Sequence, residues 1–218
     1  MRLQLLNLVI KEFKLEWRQK SVVTGILIYV ISTVFICFLT FRQVIDIPTW
    51  NALFWIIMVF AAVNAVARSF MQESRGVQLY YYTLLNPGAV IISKIIYNTI
   101  LLMAVAIVNF VFYSLFLGNQ VSDIGMFLLG LLLGSAGLAS TLTLVSAVAS
   151  RANGSTSLMA ILSFPILIPL LMTIMRFSKN AIDGIGWAIN GNYALSLVAL
   201  FGMVITLSYL LFPYLWRD

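Results

Sequence analysis

Phe70-Met71-Gln72-Glu73-Ser74-Arg75-Gly76-Val77-Gln78-Leu79-Tyr80-Tyr81-Tyr82-Thr83-Leu84-Leu85-Asn86-Pro87, closed by Lys94, is the longest interval in the middle of the chain that a lipid bilayer would reject. A carboxylate, a guanidinium, a glycine, three consecutive tyrosines and a proline stand there between two strongly apolar runs. Each flanking run is close to the roughly 20 residues a helix needs to cross a bilayer. The interval 69–94 therefore reads as the largest internal segment outside the membrane, and as the place where a partner protein would most naturally take hold.

Outward from this stretch the chain is unusually apolar. Hydrophobic residues make up 62% of its 218 positions and charged residues only 9%, and the mean hydropathy is +1.03. A soluble domain of this size would be about a quarter charged, and such a deficit cannot be hidden in a core because surface must still face water. The composition is that of an all-α polytopic membrane protein. There is no room for a separate soluble domain, so 1–218 reads as a single transmembrane domain.

The first 20 residues alternate apolar and polar side chains at helical spacing. Leu6, Ile10, Phe13 and Trp17 fall on one stripe, with Arg2, Lys11, Lys14, Arg18 and Lys20 largely elsewhere. This predicts an amphipathic helix lying in the membrane interface, with Trp17, Arg18 and Lys20 at headgroup level. Spread charges and the lack of a small-residue cleavage site argue against a secretory signal. Six spans are expected near Val22–Phe41, Trp50–Arg68, Ile95–Leu117, Ile124–Ser150, Thr156–Met175 and Tyr193–Trp216. With the N-terminus inside, Arg2, Lys11, Lys14, Arg18, Lys20, Arg68, Arg75, Lys94, Arg151 and Arg217 lie on the cytoplasmic side. Only Arg42, Arg176 and Lys179 lie outside. Ten cations against three put both termini, and the interval 69–94, in the cytoplasm. The loop 176–192 is then the longest outer one, with space for a short interfacial helix around Ile182–Ile189.

Within the spans, Gly130 and Gly134 form a small-xxx-small pair that lets helices approach closely, by packing within the chain or in a dimer seam. Pro165 and Pro169 each remove a backbone donor, which predicts a kink that serves as a hinge or is simply tolerated. Asn64, Asn98 and Asn109 are expected to hydrogen-bond between helices rather than line a path.

Several chemistries are missing. Asn153-Gly154-Ser155-Thr156 lacks the lysine and the glycine spacing of a phosphate loop, so the chain is not expected to hydrolyse ATP itself. There is no histidine, which removes the commonest metal and haem ligand and the usual general base. The one cysteine, Cys37, lies in an apolar run, facing lipid or packing. All seven acids, Glu12, Glu16, Asp46, Glu73, Asp123, Asp183 and Asp218, fall at loops or on the N-terminal helix, leaving no intramembrane carboxylate for an ion relay. No catalytic residue, metal site or cofactor of its own is expected. A mover built this way must take its energy from a partner, which returns attention to 69–94.

An entering amphipathic helix, six spans with both ends inside, and the largest internal loop after span two resemble the ABC-2 type of ABC transporter permease. There the chain enters through an elbow helix, and the loop after span two carries a coupling helix that docks on a separate ATPase subunit. That loop reads as an aromatic, then Glu and Gly, paired leucines, Pro and a Lys opening span three, which here are Phe70, Glu73, Gly76, Leu84-Leu85, Pro87 and Lys94. Within this group the chain is similar to the haem exporter protein B (CcmB) family of cytochrome c maturation permeases. The likeness rests on Lys11-Glu12-Phe13, Glu16-Trp17-Arg18-Gln19-Lys20, Ala67-Arg68-Ser69-Phe70, Ala149-Ser150-Arg151-Ala152 and Phe164-Pro165-Ile166-Leu167-Ile168-Pro169-Leu170. One departure stands in the loop, where many members carry an acid beyond the glycine and this chain has Gln78 and then Tyr80-Tyr81-Tyr82.

The resemblance implies a permease of the bacterial inner membrane, working as a homodimer with a cytoplasmic ABC ATPase that binds ATP. It also implies a haem-handling membrane protein and a haem chaperone as companions, and no nucleic acid. Coupling residues would be Glu73, Arg75, Gly76, Tyr80, Tyr81, Tyr82, Leu84, Leu85 and Pro87. Tyrosines adjacent on a helix point about 100° apart, so all three cannot face headgroups alike, and at least one is left for a protein contact. Without histidine the chain is a poor haem ligand, which favours a mechanical role and leaves haem, as cargo, only apolar and aromatic contacts. Two other readings compete: an ABC-2 permease for a drug, lipid or polysaccharide, and a membrane scaffold that transports nothing.

Overall fold

The computed structural model describes residues 2–18, 20–41, 45–67, 70, 86–151 and 156–217, without the side chains of 2, 3, 15–18, 20–22, 151, 156–158, 160 and 215–217. Seven α-helices and no strand occur among these residues. They are α1 (Arg2–Arg18), α2 (Lys20–Phe41), α3 (Ile47–Val66), α4 (Pro87–Leu117), α5 (Ile124–Arg151), α6 (Thr156–Ile182) and α7 (Trp187–Arg217). The last six are each long and apolar enough to cross a membrane, so the chain is a polytopic helical membrane protein of the expected class.

The helix ends follow local chemistry more closely than hydropathy does. Asp46 caps α3, its carboxylate accepting from the Thr49 amide at 3.4 Å, and Pro48 stands in the first turn. The Thr49 hydrogen bond holds the Asp46 carboxyl below its usual pKa. Asn86 caps α4 by accepting from Gly88 N at 3.0 Å, and Pro87 opens the helix. The third span therefore begins eight residues before the expected Ile95, because Asn-Pro supplies both a cap and a pre-set first turn. The 17 residues of α1 end at Arg18 and Lys20 already belongs to α2, which moves Lys20 out of the elbow.

A larger correction falls at 176–192. The helix α6 runs on to Ile182 and α7 starts at Trp187, so the expected loop shrinks to 183–186 and the interfacial helix around Ile182–Ile189 does not form. Gly184, at φ +72°, reverses the chain while Asp183 N and Ile185 N donate to Lys179 O and Asn180 O at 2.9 and 2.8 Å. Arg176 and Lys179 are polar, but nothing in their backbone stops a helix.

Helix α5 is the hub, packing against α3, α4, α6 and α7. Its most apolar window is 78% buried, against 17% for α2 and for α7. The reason is a stripe of glycines. Gly130, Gly134 and Gly137 lie under Phe177, Ile174 and Leu170 of α6, with Trp55 of α3 also over Gly134. Spacings of four and three on both helices let the α6 side chains sit where α5 has none. Gly130 and Gly134 thus pack within the chain. On the exposed side of α6 the helix continues through Pro165 and Pro169.

Candidate coupling site at the Lys94 end

An even number of spans between them brings both described ends of the chain, and Phe70 and Asn86 on either side of the 71–85 interval, to one end of the bundle. There Lys94 stands about two turns into α4. It is the only charged residue between Pro87 and Leu117, and its side chain is 1% exposed. A buried ammonium must find compensation nearby. Glu12 of α1 supplies it: Glu12 Oε1 lies 3.4 Å from Lys94 Nζ and 3.5 Å from Lys11 Nζ. The Phe70 ring lies beneath, its centroid 4.7 Å from Lys94 Nζ, close enough for a cation–π contact.

An apolar cluster surrounds this pair. Leu8 of α1, Phe70, Ala89, Val90, Ile91 and Ile95 of α4, Ala147 of α5 and Phe212 of α7 pack together, apart from the main core. Phe70 and Phe212 sit with ring centroids 5.6 Å apart, and Phe13 meets Tyr97 edge-on at 5.1 Å. Leu8 and Glu12, one turn apart, turn towards α4, while Leu6, Ile10 and Phe13 are exposed. Leu6 and Ile10 of the predicted apolar stripe are therefore left uncovered, Phe13 reaches Tyr97 at the stripe's edge, and the buried contact is made by the neighbouring Leu8 and Glu12. Tyr209 of α7 covers Gly88 so closely that no larger residue would fit without moving it.

Of the residues singled out beforehand, Pro87 opens α4 beside this cluster. Glu73, Arg75, Gly76, Tyr80, Tyr81, Tyr82, Leu84 and Leu85 lie outside the described residues. Trp17 and Arg18 are placed on α1 and Lys20 on α2 by backbone alone. Glu12 is the residue that sequence reasoning missed. The signal was a lone cation in an apolar helix, which demands a partner, but 82 positions separate the two and nothing local connects them.

The opposite end is built differently. Trp50, Phe54, Tyr113, Phe110 and Phe127 from three helices form a ring cluster with centroids 4.8–6.5 Å apart. Tyr113 donates its hydroxyl to Trp50 O at 3.0 Å, and Trp50 Nε1 donates to Gly118 O at 3.2 Å. Ser178 receives a hydrogen bond from Trp55 Nε1 at 2.9 Å and donates to Asn51 Oδ1 at 2.8 Å. Asn51 Nδ2 donates to Met175 O at 2.8 Å, and Asn190 Nδ2 to Phe177 O at 3.1 Å. These bonds clamp α3, α6 and α7 together.

The three span asparagines part ways. Asn98 donates to Thr143 Oγ1 at 2.8 Å, joining α4 to α5 as expected. Asn64 is exposed, and Asn109 is fully buried with no hydrogen-bond partner. Among the described residues no group of three or more Cys, Asp or Glu side chains is placed to hold a metal ion. An apolar groove of about 210 Å³ runs between α3 and α6, bordered by Trp55, Phe60, Phe164 and Leu167.

A family model described as CcmB protein matches residues 3–214. No curated protein matches the chain.

Proposed function

The chain belongs to the CcmB protein family, and on that premise we propose that it is a permease subunit coupling a separate ATPase to the handling of haem in c-type cytochrome biogenesis. Membership implies a membrane component of a haem-exporting ABC transporter. The finer reading is mechanical. ATP-driven closure of a cytoplasmic ATPase dimer moves the 71–85 interval, and the spans pass that motion to haem-handling membrane partners, exporting haem or releasing a haem-loaded chaperone. The chain sits in the bacterial inner membrane with both termini in the cytoplasm, pairs with a second copy, and leaves ATP hydrolysis to its partner.

What best supports this reading is the anchoring of the interval at both ends. Phe70 packs under Lys94 and against Phe212, and Asn86-Pro87 opens a 31-residue helix that reaches the far side of the bundle. A push on a segment held this way is delivered to a long rigid element rather than absorbed by a slack tether.

The test is twofold. Glu73→Ala, or the Tyr81→Ala/Tyr82→Ala pair, is expected to lose the co-purifying ATPase while the chain still inserts in the membrane, and cells carrying either lose holo-cytochrome c. Co-purification at unchanged strength overturns the assignment of the contact. The purified chain is expected to carry no stoichiometric haem, so a tight haem absorbance on it would defeat the mechanical reading.

A further inference from the structure

We infer that a second copy of this chain sits on the α3–α6 face, where Asn64 of each copy donates to the backbone carbonyls that Pro165 and Pro169 leave unbonded in the other. The inference rests on the reading that the chain pairs with a second copy.

Proline has no N–H, so Pro165 cannot donate to Ile161 O and Pro169 cannot donate to Pro165 O, although α6 is helical through both. A hydroxyl one turn further on can bond a carbonyl, as Thr173 does to Pro169 O at 2.8 Å. For the two freed carbonyls the positions three and four residues on hold Phe164 and Pro165, and Ile168 and Pro169. Ile161 is 69% exposed and both prolines are exposed, so the freed oxygens lie on the side of α6 that looks into lipid. Hydrocarbon offers them no donor, and an unbonded backbone group there is costly.

The matching donor is on α3. Ile56, Phe60 and Asn64 are exposed at intervals of four, one stripe on the outer face of that helix. The depth of Asn64 follows from Asn51, which donates to Met175 O and accepts from Ser178 Oγ at 2.8 Å each. Asn64 lies 13 residues beyond Asn51, and 13 residues back along the antiparallel α6 from Met175 and Ser178 stand Leu162 and Pro165. The amide therefore sits at the level of the 161–165 turn, separated from it within one copy by the apolar groove between α3 and α6. A twofold axis along the membrane normal leaves depth unchanged, so it presents each Asn64 to the freed carbonyls of the other copy. The apolar surface fits the same axis. Phe60 and Phe164, 54% and 58% exposed, border a groove of about 210 Å³, and the ridge of one copy can enter the groove of the other. A different partner would have to bring its own donor and its own ridge to this depth, whereas a second copy brings both.

Two tagged forms of the full chain, co-expressed with Cys37→Ser so that no native thiol competes, test the seam. One carries Asn64→Cys and the other Ile161→Cys. Oxidation in native membranes is expected to join the two tags, whereas copies carrying Leu39→Cys on α2 or Leu207→Cys on α7 are expected to stay apart. Asn64→Leu is expected to raise the dimer dissociation constant in lipid vesicles by about tenfold, the worth of one interhelical hydrogen bond in a membrane. The midpoint of thermal unfolding of the diluted, monomeric chain should stay where it was. In a Pro165→Ala/Pro169→Ala chain, whose restored amides bond both carbonyls, Asn64→Leu is expected to have no further effect. Joining through α2 or α7 instead, or of Asn64→Cys to a different membrane protein, refutes the seam and leaves the pairing. Unchanged dimerisation of Asn64→Leu, a lowered midpoint of the monomer, or an undiminished effect in the alanine background refutes the amide-to-carbonyl contact. An unmodified chain that stays monomeric at every concentration overturns the pairing and the seam with it, a result distinct from the others because it needs no variant.

Discussion

The two ends of the bundle are held by different physics. At the Trp50 end, three helices contribute stacked and edge-on rings, and Trp50, Asn51, Trp55, Tyr113 and Asn190 each donate to an acceptor on another element. At the Lys94 end, a small apolar cluster surrounds Glu12 and its lysine partners Lys11 and Lys94, and the elements it joins include the N-terminal helix and the residues that flank the 71–85 interval. Aromatic clusters and satisfied networks resist displacement because many weak contacts must break together. Among the described residues, the apolar cluster at the Lys94 end is the smaller of the two, with a charged contact at its centre. The Trp50 end is thus the more firmly fixed of the two.

That contrast can be broken by substitution. The largest effect is expected at the fixed end: Trp50→Ala removes a fully buried ring that contacts Phe54, Tyr113 and Phe127, and should destabilise the fold by about 3–5 kcal/mol. Equilibrium unfolding in mixed micelles measures it, and a loss of under 1 kcal/mol would remove the distinction between the ends. Ser178→Ala comes next. It strands the Trp55 indole N–H and the Asn51 carbonyl oxygen together, at an expected cost of about 1–3 kcal/mol, read as a lowered thermal midpoint. Gly134→Ala tests the hub that connects the ends. The added methyl meets Ile174 and Trp55, for an expected loss of up to about 3 kcal/mol from overpacking. Gly202→Ala, where no atom lies within 4 Å, should instead be neutral or stabilise by up to about 1 kcal/mol through helix propensity. Equal effects of the two glycine changes would show that the stripe does not set the packing.

The fold was legible because its dominant signal is local. Runs of apolar residues near bilayer length announce spans without any knowledge of neighbours, and all six were readable in order. Their ends were less so, since hydropathy marks where lipid stops and not where a helix stops. Asn86-Pro87 was a readable start that the polar content of 69–94 masked, and Gly184 a readable stop hidden behind Arg176 and Lys179. The site was less legible. Lys94 read as the residue that closes 69–94 and opens span three rather than as a buried cation, and Glu12 resembled any other charge on an amphipathic helix. Its choice as partner depends on how α1 lies across α4, which no periodicity encodes. The same holds for Asn51 and Ser178, 127 positions apart, which meet only because α3 and α6 cross. Glycines at 130, 134 and 137 were visible as small residues, but whether they faced another span or another copy of the chain was settled by Leu170, Ile174 and Phe177.

The central position of α5 has a consequence for how the protein is made. Its Ser135, Ser140, Thr141, Thr143 and Ser146 are all buried against other helices, and four spans cover it, the last of which is α7. During synthesis α5 leaves the ribosome with α3 and α4 already available, so Thr143 and Ser146 can meet Asn98 and Ala67 at once, while the side that packs on α7 stays uncovered until the final thirty or so residues follow. A chain interrupted before Trp187 therefore leaves one side of its most buried helix without the neighbour that covers it.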